Sequence, residues 1–118
     1  MKKFKIIEPV LDTRCEFIVG SQASCHSYIL KKYNDDAYDF SRGVHCHGYN
    51  SEKQAFFRYI WLKEFNHDPE SMNVLVHEIT HLVDRAFDNK GIDGSVDNTE
   101  VRASYMGFWV REFLKKIK

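Results

Sequence analysis

The chain has 118 residues, and its 17 basic and 17 acidic side chains give a formal net charge of zero and a pI of about 7.0. This balance argues against a nucleic acid or an anionic membrane surface as the partner, because both select a basic excess. No apolar run approaches the roughly 20 residues of a membrane-spanning helix, and the length predicts one domain, residues 1–118.

The three cysteines, Cys15, Cys25 and Cys46, follow no regular spacing. An odd number leaves at least one thiol unpaired, and unpaired thiols are typical of a reducing compartment. We therefore expect reduced cysteines and a cytoplasmic location. A cysteine nucleophile is disfavoured, because nothing in the sequence pairs one of these thiols with a base.

The first half of the sequence predicts four strands and one helix. The strands are short runs rich in β-branched and aromatic residues, bounded by turn residues. Pro9 would shorten the first strand or confine it to a sheet edge. Ser21 or Ser24 would cap a helix that ends near Tyr33. The four predicted strands are residues 4–10, 14–19, 37–49 and 55–62.

A second helix is predicted to begin at Asp68, with Asp68 as the N-cap, Pro69 at N1 and Glu70 in the first turn. We expect it to run to about Asn89, with Gly91 as the C′ residue. At 100° per residue, one side of this helix is apolar and the opposite side carries two histidines. Such a helix is predicted to be sandwiched inside the domain rather than to lie on its surface.

The histidine side contains the motif His77-Glu78-Ile79-Thr80-His81. Two histidines four residues apart lie one above the other on a helix, so both imidazoles can bind one metal ion. Glu78 lies beside them, placed to act as a general base on a water molecule rather than as a ligand. This pattern is typical of zinc hydrolases. The alternative is an amphipathic helix that carries two histidines by chance.

A zinc hydrolase needs a third protein ligand and an open fourth position. No histidine follows His81, so the candidates are acidic. We predict Glu100, which follows His81 by nineteen positions on a third predicted helix, residues 99–116. Small residues on the same stripe would let this helix approach the second one closely; they are Ala103, Ser104 and Gly107. The alternative role for Glu100 is a capping box with Asp97. The other acidic candidates are Asp84, Asp88, Asp93, Asp97 and Glu112.

An HExxH motif followed about twenty residues later by a glutamate on a second helix resembles the gluzincin class of zinc peptidases. The fuller pattern is similar to minimal peptidase-like proteins of bacteriophages and prophages, and the match covers residues 58–110. Its residues are Ile60-Trp61-Leu62, the HExxH motif, Asn98-Thr99-Glu100-Val101-Arg102-Ala103 and Gly107.

The resemblance implies that His77, His81 and Glu100 bind Zn²⁺ and that Glu78 is the catalytic base acting on a peptide or protein substrate. It also implies that residues 58–62 border the cleft as the edge strand of the sheet. The expected fold is α+β, a small zincin-like domain. A short sheet of three to four strands would pack on the HExxH helix and the C-terminal helix carrying the glutamate.

His45 and His47 would share one face of a strand. They could belong to a second metal site, or they could be polar residues lining the wall of the cleft. With Arg102, Tyr105 and other tyrosines, they are also candidates to stabilise the oxyanion. Two alternatives to a zinc-dependent peptidase stay open: a zinc-stabilised non-catalytic binding or phage accessory protein, and a metal-free adaptor domain.

Overall fold

The computed structural model describes residues 1–35 and 42–118. Strands and helices lie close to their predicted positions, although residues 37–41 of the predicted third strand fall outside the described residues. Within the described ranges, no helix is both long enough and apolar enough to cross a membrane. The strands are β1 (Lys2–Glu8), β2 (Thr13–Val19), β3 (Gly43–Asn50) and β4 (Ala55–Leu62), and the helices are α1 (Gln22–Tyr33), α2 (Pro69–Asn89) and α3 (Thr99–Lys116), with a 3₁₀ turn at Val96–Asn98.

The four strands form one mixed sheet in the order β1-β2-β4-β3. β1 and β3 pair antiparallel with their neighbours, and β2 pairs parallel with β4. A parallel pair needs a crossover connection, and here the connection contains α1 and β3. The expectation that residues 58–62 form the edge strand at the cleft is wrong, because β4 lies inside the sheet and β3 is the edge. Residues 59–62 are all buried, and a strand that is apolar on both faces belongs in the interior of a sheet.

The sheet is the middle of three layers. Phe17, Ile60 and Leu62 point from one face into a core shared with α2 and α3. Ile18 and Trp61 point from the other face toward α1. The alternation of side chains between the two faces follows from the two-residue period of strands. The mixed sheet and the helices packed on it confirm the predicted α+β class.

The third helix packs through its aromatic stripe. Tyr105, Trp109 and Phe113 are buried against the rest of the core. The small residues Ala103, Ser104 and Gly107 are exposed instead, so the predicted close approach of two helices through them is wrong. Burial of one large side chain contributes about 1.5–3 kcal/mol, so the stripe with three large rings faces the core.

We expect Gly107→Ala to stabilise the protein by about 0.5–1 kcal/mol, because alanine restricts the unfolded chain and favours the helix. A Cβ at this position would meet nothing within 4 Å. Urea denaturation measures the change. Gly48→Ala is the matched control and should destabilise, since its Cβ would lie 2.8 Å from the ring of Phe57. A loss of stability in Gly107→Ala would contradict the exposed position.

A buried carboxylate joins α1 to the sheet. Glu16 on β2 is 5% exposed. Tyr28 donates a hydrogen bond of 2.6 Å to one carboxylate oxygen, and Lys32 at 2.9 Å and Tyr33 donate to the other. Burial alone would raise the pKa of Glu16, but the hydrogen bonds from the two tyrosines and the lysine outweigh it and lower that pKa. The network therefore stabilises the charged form of Glu16.

The stabilisation from Glu16 should depend on pH. A carboxylate whose pKa is lower in the folded state stabilises the fold above its unfolded pKa of about 4.5 and loses that effect as the pH falls through the folded value. We expect Glu16→Gln to cost on the order of 1–3 kcal/mol at pH 7. The difference from the wild type should shrink in acid, as followed by urea denaturation from pH 7 to 3. Glu64→Gln, an exposed control, should show little difference at any pH; a gap for Glu16→Gln that stays constant in acid would exclude the charged network.

Candidate metal centre

Helix α2 is fixed at both ends by its caps. The Asp68 side chain accepts a hydrogen bond of 2.8 Å from the Ser71 backbone N–H, and Pro69 occupies the first turn. At the other end Gly91 adopts a φ of +70°, and the Ile92 N–H donates to the Phe87 carbonyl at 2.9 Å. The predicted boundaries of this helix are confirmed, so the register of the HExxH motif on its surface is set locally.

The two sides of α2 face different surroundings. Leu75, Ile79 and Leu82 are fully buried in the core. His77 and His81 are exposed on the opposite side, where they line a cleft of about 860 Å³. The prediction of a helix sandwiched inside the domain is therefore wrong: the histidine side faces an open cleft, not a second protein layer.

The two imidazoles converge at one point. The Nε2 atoms of His77 and His81 are 3.3 Å apart, within hydrogen-bonding distance of each other, and the ring planes are inclined by 80°. Two nitrogens bound to a tetrahedral zinc ion at roughly 2.0–2.1 Å would be about 3.3 Å apart. The spacing of the histidine pair therefore fits a zinc ion.

Glu78 completes the local group. One ligand atom from each of His77, Glu78 and His81 lies within 4.8 Å of the other two. Glu78 is only 6% exposed and forms part of the cleft wall. A carboxylate held at this position beside the imidazoles is within reach of a water molecule between them, as a general base requires.

Glu100 is not part of that group. It is exposed in the first turn of α3, whose buried face carries other residues. The capping box is not formed either, because Asn98 rather than Asp97 is the N-cap residue and no side chain caps the helix. The structure thus brings together two predicted ligands and the predicted base, and leaves Glu100 outside.

The wall opposite α2 is the edge strand β3. His45 and His47 share its cleft-facing side, with their rings stacked at 5.8 Å, so the prediction that they line the cleft is confirmed. Among the described residues, His77, Glu78 and His81 form the one group of three or more potential metal ligands, which gives no support to a second metal site.

The pKa values of both β3 histidines are lowered, which favours their neutral forms. Burial, followed by the positive charge of Arg58 and smaller effects of nearby groups, lowers the pKa of His45 to about 3. Burial and the charges of Arg85 and Arg58 also lower the pKa of His47. The Nε2 atom of His45 is buried without a hydrogen-bond partner. A neutral imidazole offers one N–H donor to a ligand in the cleft.

Two of the named oxyanion candidates, Arg102 and Tyr105, are not among the residues that line the cleft. Arg102 donates a hydrogen bond to the Asp84 carboxylate and packs over the Phe87 ring at 4.7 Å. Tyr105 is buried beside the same ring. His45 and His47 do line the cleft, which makes them the better placed of the four.

Sequence reasoning missed Arg85, which lines the cleft. The signal was present, because Arg85 continues the four-residue spacing of His77 and His81 on α2. The likeness to gluzincins depends on the motif residues alone. No protein-family model, curated protein or solved structure matches this chain.

Proposed function

We propose that this protein is a zinc-dependent peptidase of the gluzincin-like, phage or prophage kind, with a zincin-like arrangement of its HExxH helix. His77 and His81 would bind Zn²⁺, and Glu78 would be the general base. The motif spacing makes Glu100 the proposed third ligand, although it lies outside the group formed by His77, Glu78 and His81. The observation that carries the proposal is the 3.3 Å separation of the two imidazole Nε2 atoms, which suits a tetrahedral zinc ion.

The cleft supplies the remaining chemistry. When bound, Zn²⁺ lowers the pKa of a coordinated water and polarises the scissile carbonyl. Glu78 would accept a proton from the attacking water and pass it to the leaving amine. His47 on the opposite wall donates a hydrogen bond to the developing negative charge on the carbonyl oxygen. The substrate peptide would lie between α2 and β3, whose side chains line the cleft.

Metal analysis and a peptide-hydrolysis assay test this proposal together. We expect protein purified without chelator to contain about one zinc ion per chain. It should cleave members of a mixed fluorogenic peptide library, with activity removed by a chelator and restored by zinc. Stoichiometric zinc without any cleavage would favour the zinc-stabilised binding or accessory protein, and a metal-free protein would favour the adaptor domain.

Glu100 is proposed as the third ligand from the motif spacing, and its substitution is a separate test. We expect Glu100→Gln to weaken zinc binding at least tenfold, because an uncharged amide is a poor zinc ligand. Competition with a chromophoric chelator measures the affinity. Glu112→Gln on the same helix is the control and should bind zinc like the wild type. Unchanged affinity in Glu100→Gln, with a loss in Asp84→Asn, would move the third ligand to Asp84.

We also propose a cytoplasmic location, in the bacterial host if the chain is phage-encoded. All three cysteines are free thiols, as is usual for proteins of reducing compartments. Burial raises the pKa of Cys15 and of Cys46, which opposes formation of the nucleophilic thiolate and favours the zinc-dependent mechanism over a cysteine-dependent one.

A further inference from the structure

Arg85 extends the row formed by His77 and His81 along α2. Residues four apart lie on the same face of a helix, about 6 Å apart along its axis. All three side chains line the same cleft. Arg85 is therefore about one helical turn from His81 and about two turns from His77.

The charge of Arg85 has no compensating carboxylate within residues 1–35 and 42–118. Among the described residues, Arg85 makes no ion pair. The other arginine of the cleft, Arg42, is paired with Glu70, and the cleft carboxylate of Asp84 is paired with Arg102. Asp88 lines the cleft three residues beyond Arg85 without pairing to it.

The opposite wall carries a buried polar atom that makes no hydrogen bond. His45 Nε2 is buried and has no hydrogen-bond partner, although it lies in the wall of the cleft. The positive charge of Arg85 contributes to the lowered pKa of both His45 and His47, so the guanidinium is within electrostatic range of both rings. A buried polar atom without a partner costs about 1–3 kcal/mol. In the tautomer that carries the proton on Nε2, a ligand that accepts a hydrogen bond from His45 recovers that cost.

We propose that Arg85 and His45 bind a carboxylate of the substrate, which makes the preferred substrates peptides with a carboxylate close to the cleaved bond. Arg85, which makes no ion pair among the described residues, and His45 with its proton on Nε2 both line one cleft. Together they are complementary to a carboxylate, which guanidinium binds with paired hydrogen bonds. The offset of about 6 Å corresponds to one or two residues of an extended peptide. The carboxylate is either the C-terminus of the peptide or the side chain of an aspartate or glutamate. This inference refines the proposed function.

Binding measurements on a matched set of peptides test it. The three peptides share one fluorescein-labelled sequence. The first ends in a free carboxylate and the second in an amide. The third also ends in an amide and has one glutamine of the sequence replaced by glutamate. Dissociation constants are measured by fluorescence anisotropy on a Glu78→Gln background, so that no peptide is cleaved, with and without added zinc. We expect at least one carboxylate peptide to bind ten or more times tighter than the neutral amide.

Variants of Arg85 test whether this side chain causes the preference for carboxylate peptides. Arg85→Ala should reduce the preference to below threefold, and Arg85→Lys should retain part of it. Arg111→Ala, which removes an exposed arginine from α3, should leave it unchanged. Unaltered circular dichroism and melting temperature in Arg85→Ala would separate lost recognition from lost folding. A stronger effect of the free terminus identifies a C-terminal carboxylate as the ligand, and a stronger effect of the glutamate identifies an acidic side chain.

The proposal is overturned by equal affinity for the carboxylate and amide peptides, by an unchanged preference in Arg85→Ala, or by no measurable binding of any peptide. These results are distinct from failure of the proposed peptidase. Zinc binding and hydrolysis without a carboxylate preference would remove only the role of Arg85. A carboxylate preference that depends on Arg85 in a protein that binds no zinc would remove only the peptidase.

Discussion

Replacing His77 by alanine is expected to lower zinc affinity by more than about 100-fold and to give protein that is purified without stoichiometric zinc. Loss of residues that only support metal ligands costs 10–100-fold, so loss of a ligand itself should cost more. The effect should be specific to the metal, because His77 is exposed and contributes nothing to the buried core. Elemental analysis of purified protein and chelator competition measure the change.

The matched control is His26→Ala. His26 is an exposed histidine on α1, which packs on the opposite face of the sheet from α2. The His26→Ala variant should retain the zinc content of the wild type. If His77→Ala and His26→Ala bind zinc equally well, the imidazole pair is not the metal site.

The second large effect is expected from Glu78→Gln, which should retain zinc and lose hydrolytic activity by about 10²- to 10⁴-fold. Glutamine preserves the shape of the side chain but cannot accept the proton, and general-base catalysis contributes a factor of that size. Initial rates on a cleaved fluorogenic peptide, at equal zinc content, measure the loss in kcat/KM.

Glu112→Gln is the control for this substitution and should keep full activity, since Glu112 is paired with lysine and arginine neighbours on α3. Activity in Glu78→Gln equal to that of the wild type would remove Glu78 as the base. A variant that loses both zinc and activity would instead give Glu78 a role in metal binding.

Local signals in the sequence predicted α2 well. Its start depends on Asp68 and Pro69 and its end on Gly91, and each acts on backbone groups within a few residues. The spacing of His77 and His81 follows from helix geometry alone. The short distance between the two imidazoles therefore follows from the predicted helix and its register.

The position of β4 and the buried face of α3 were harder to predict, because both depend on competition between distant parts of the chain. β4 pairs with β2 and β3 at once, and only tertiary pairing decides which strand remains at the edge. The orientation of α3 follows from side-chain size. Burial of the rings of Tyr105, Trp109 and Phe113 stabilises the fold more than burial of a stripe of small residues would. The prediction for Glu100 depends on spacing, which does not specify where a side chain on another helix points.

The interior position of β4 also determines how much of the chain the site needs. The motif residues that resemble gluzincins span residues 58–110, but both neighbours of β4 in the sheet, β2 and β3, come from earlier in the chain. A fragment beginning at residue 58 would leave both sides of this strand without hydrogen-bonding partners and would remove one wall of the cleft. Transplanting the motif segment into another scaffold would therefore transfer the two imidazoles without the cleft between α2 and β3.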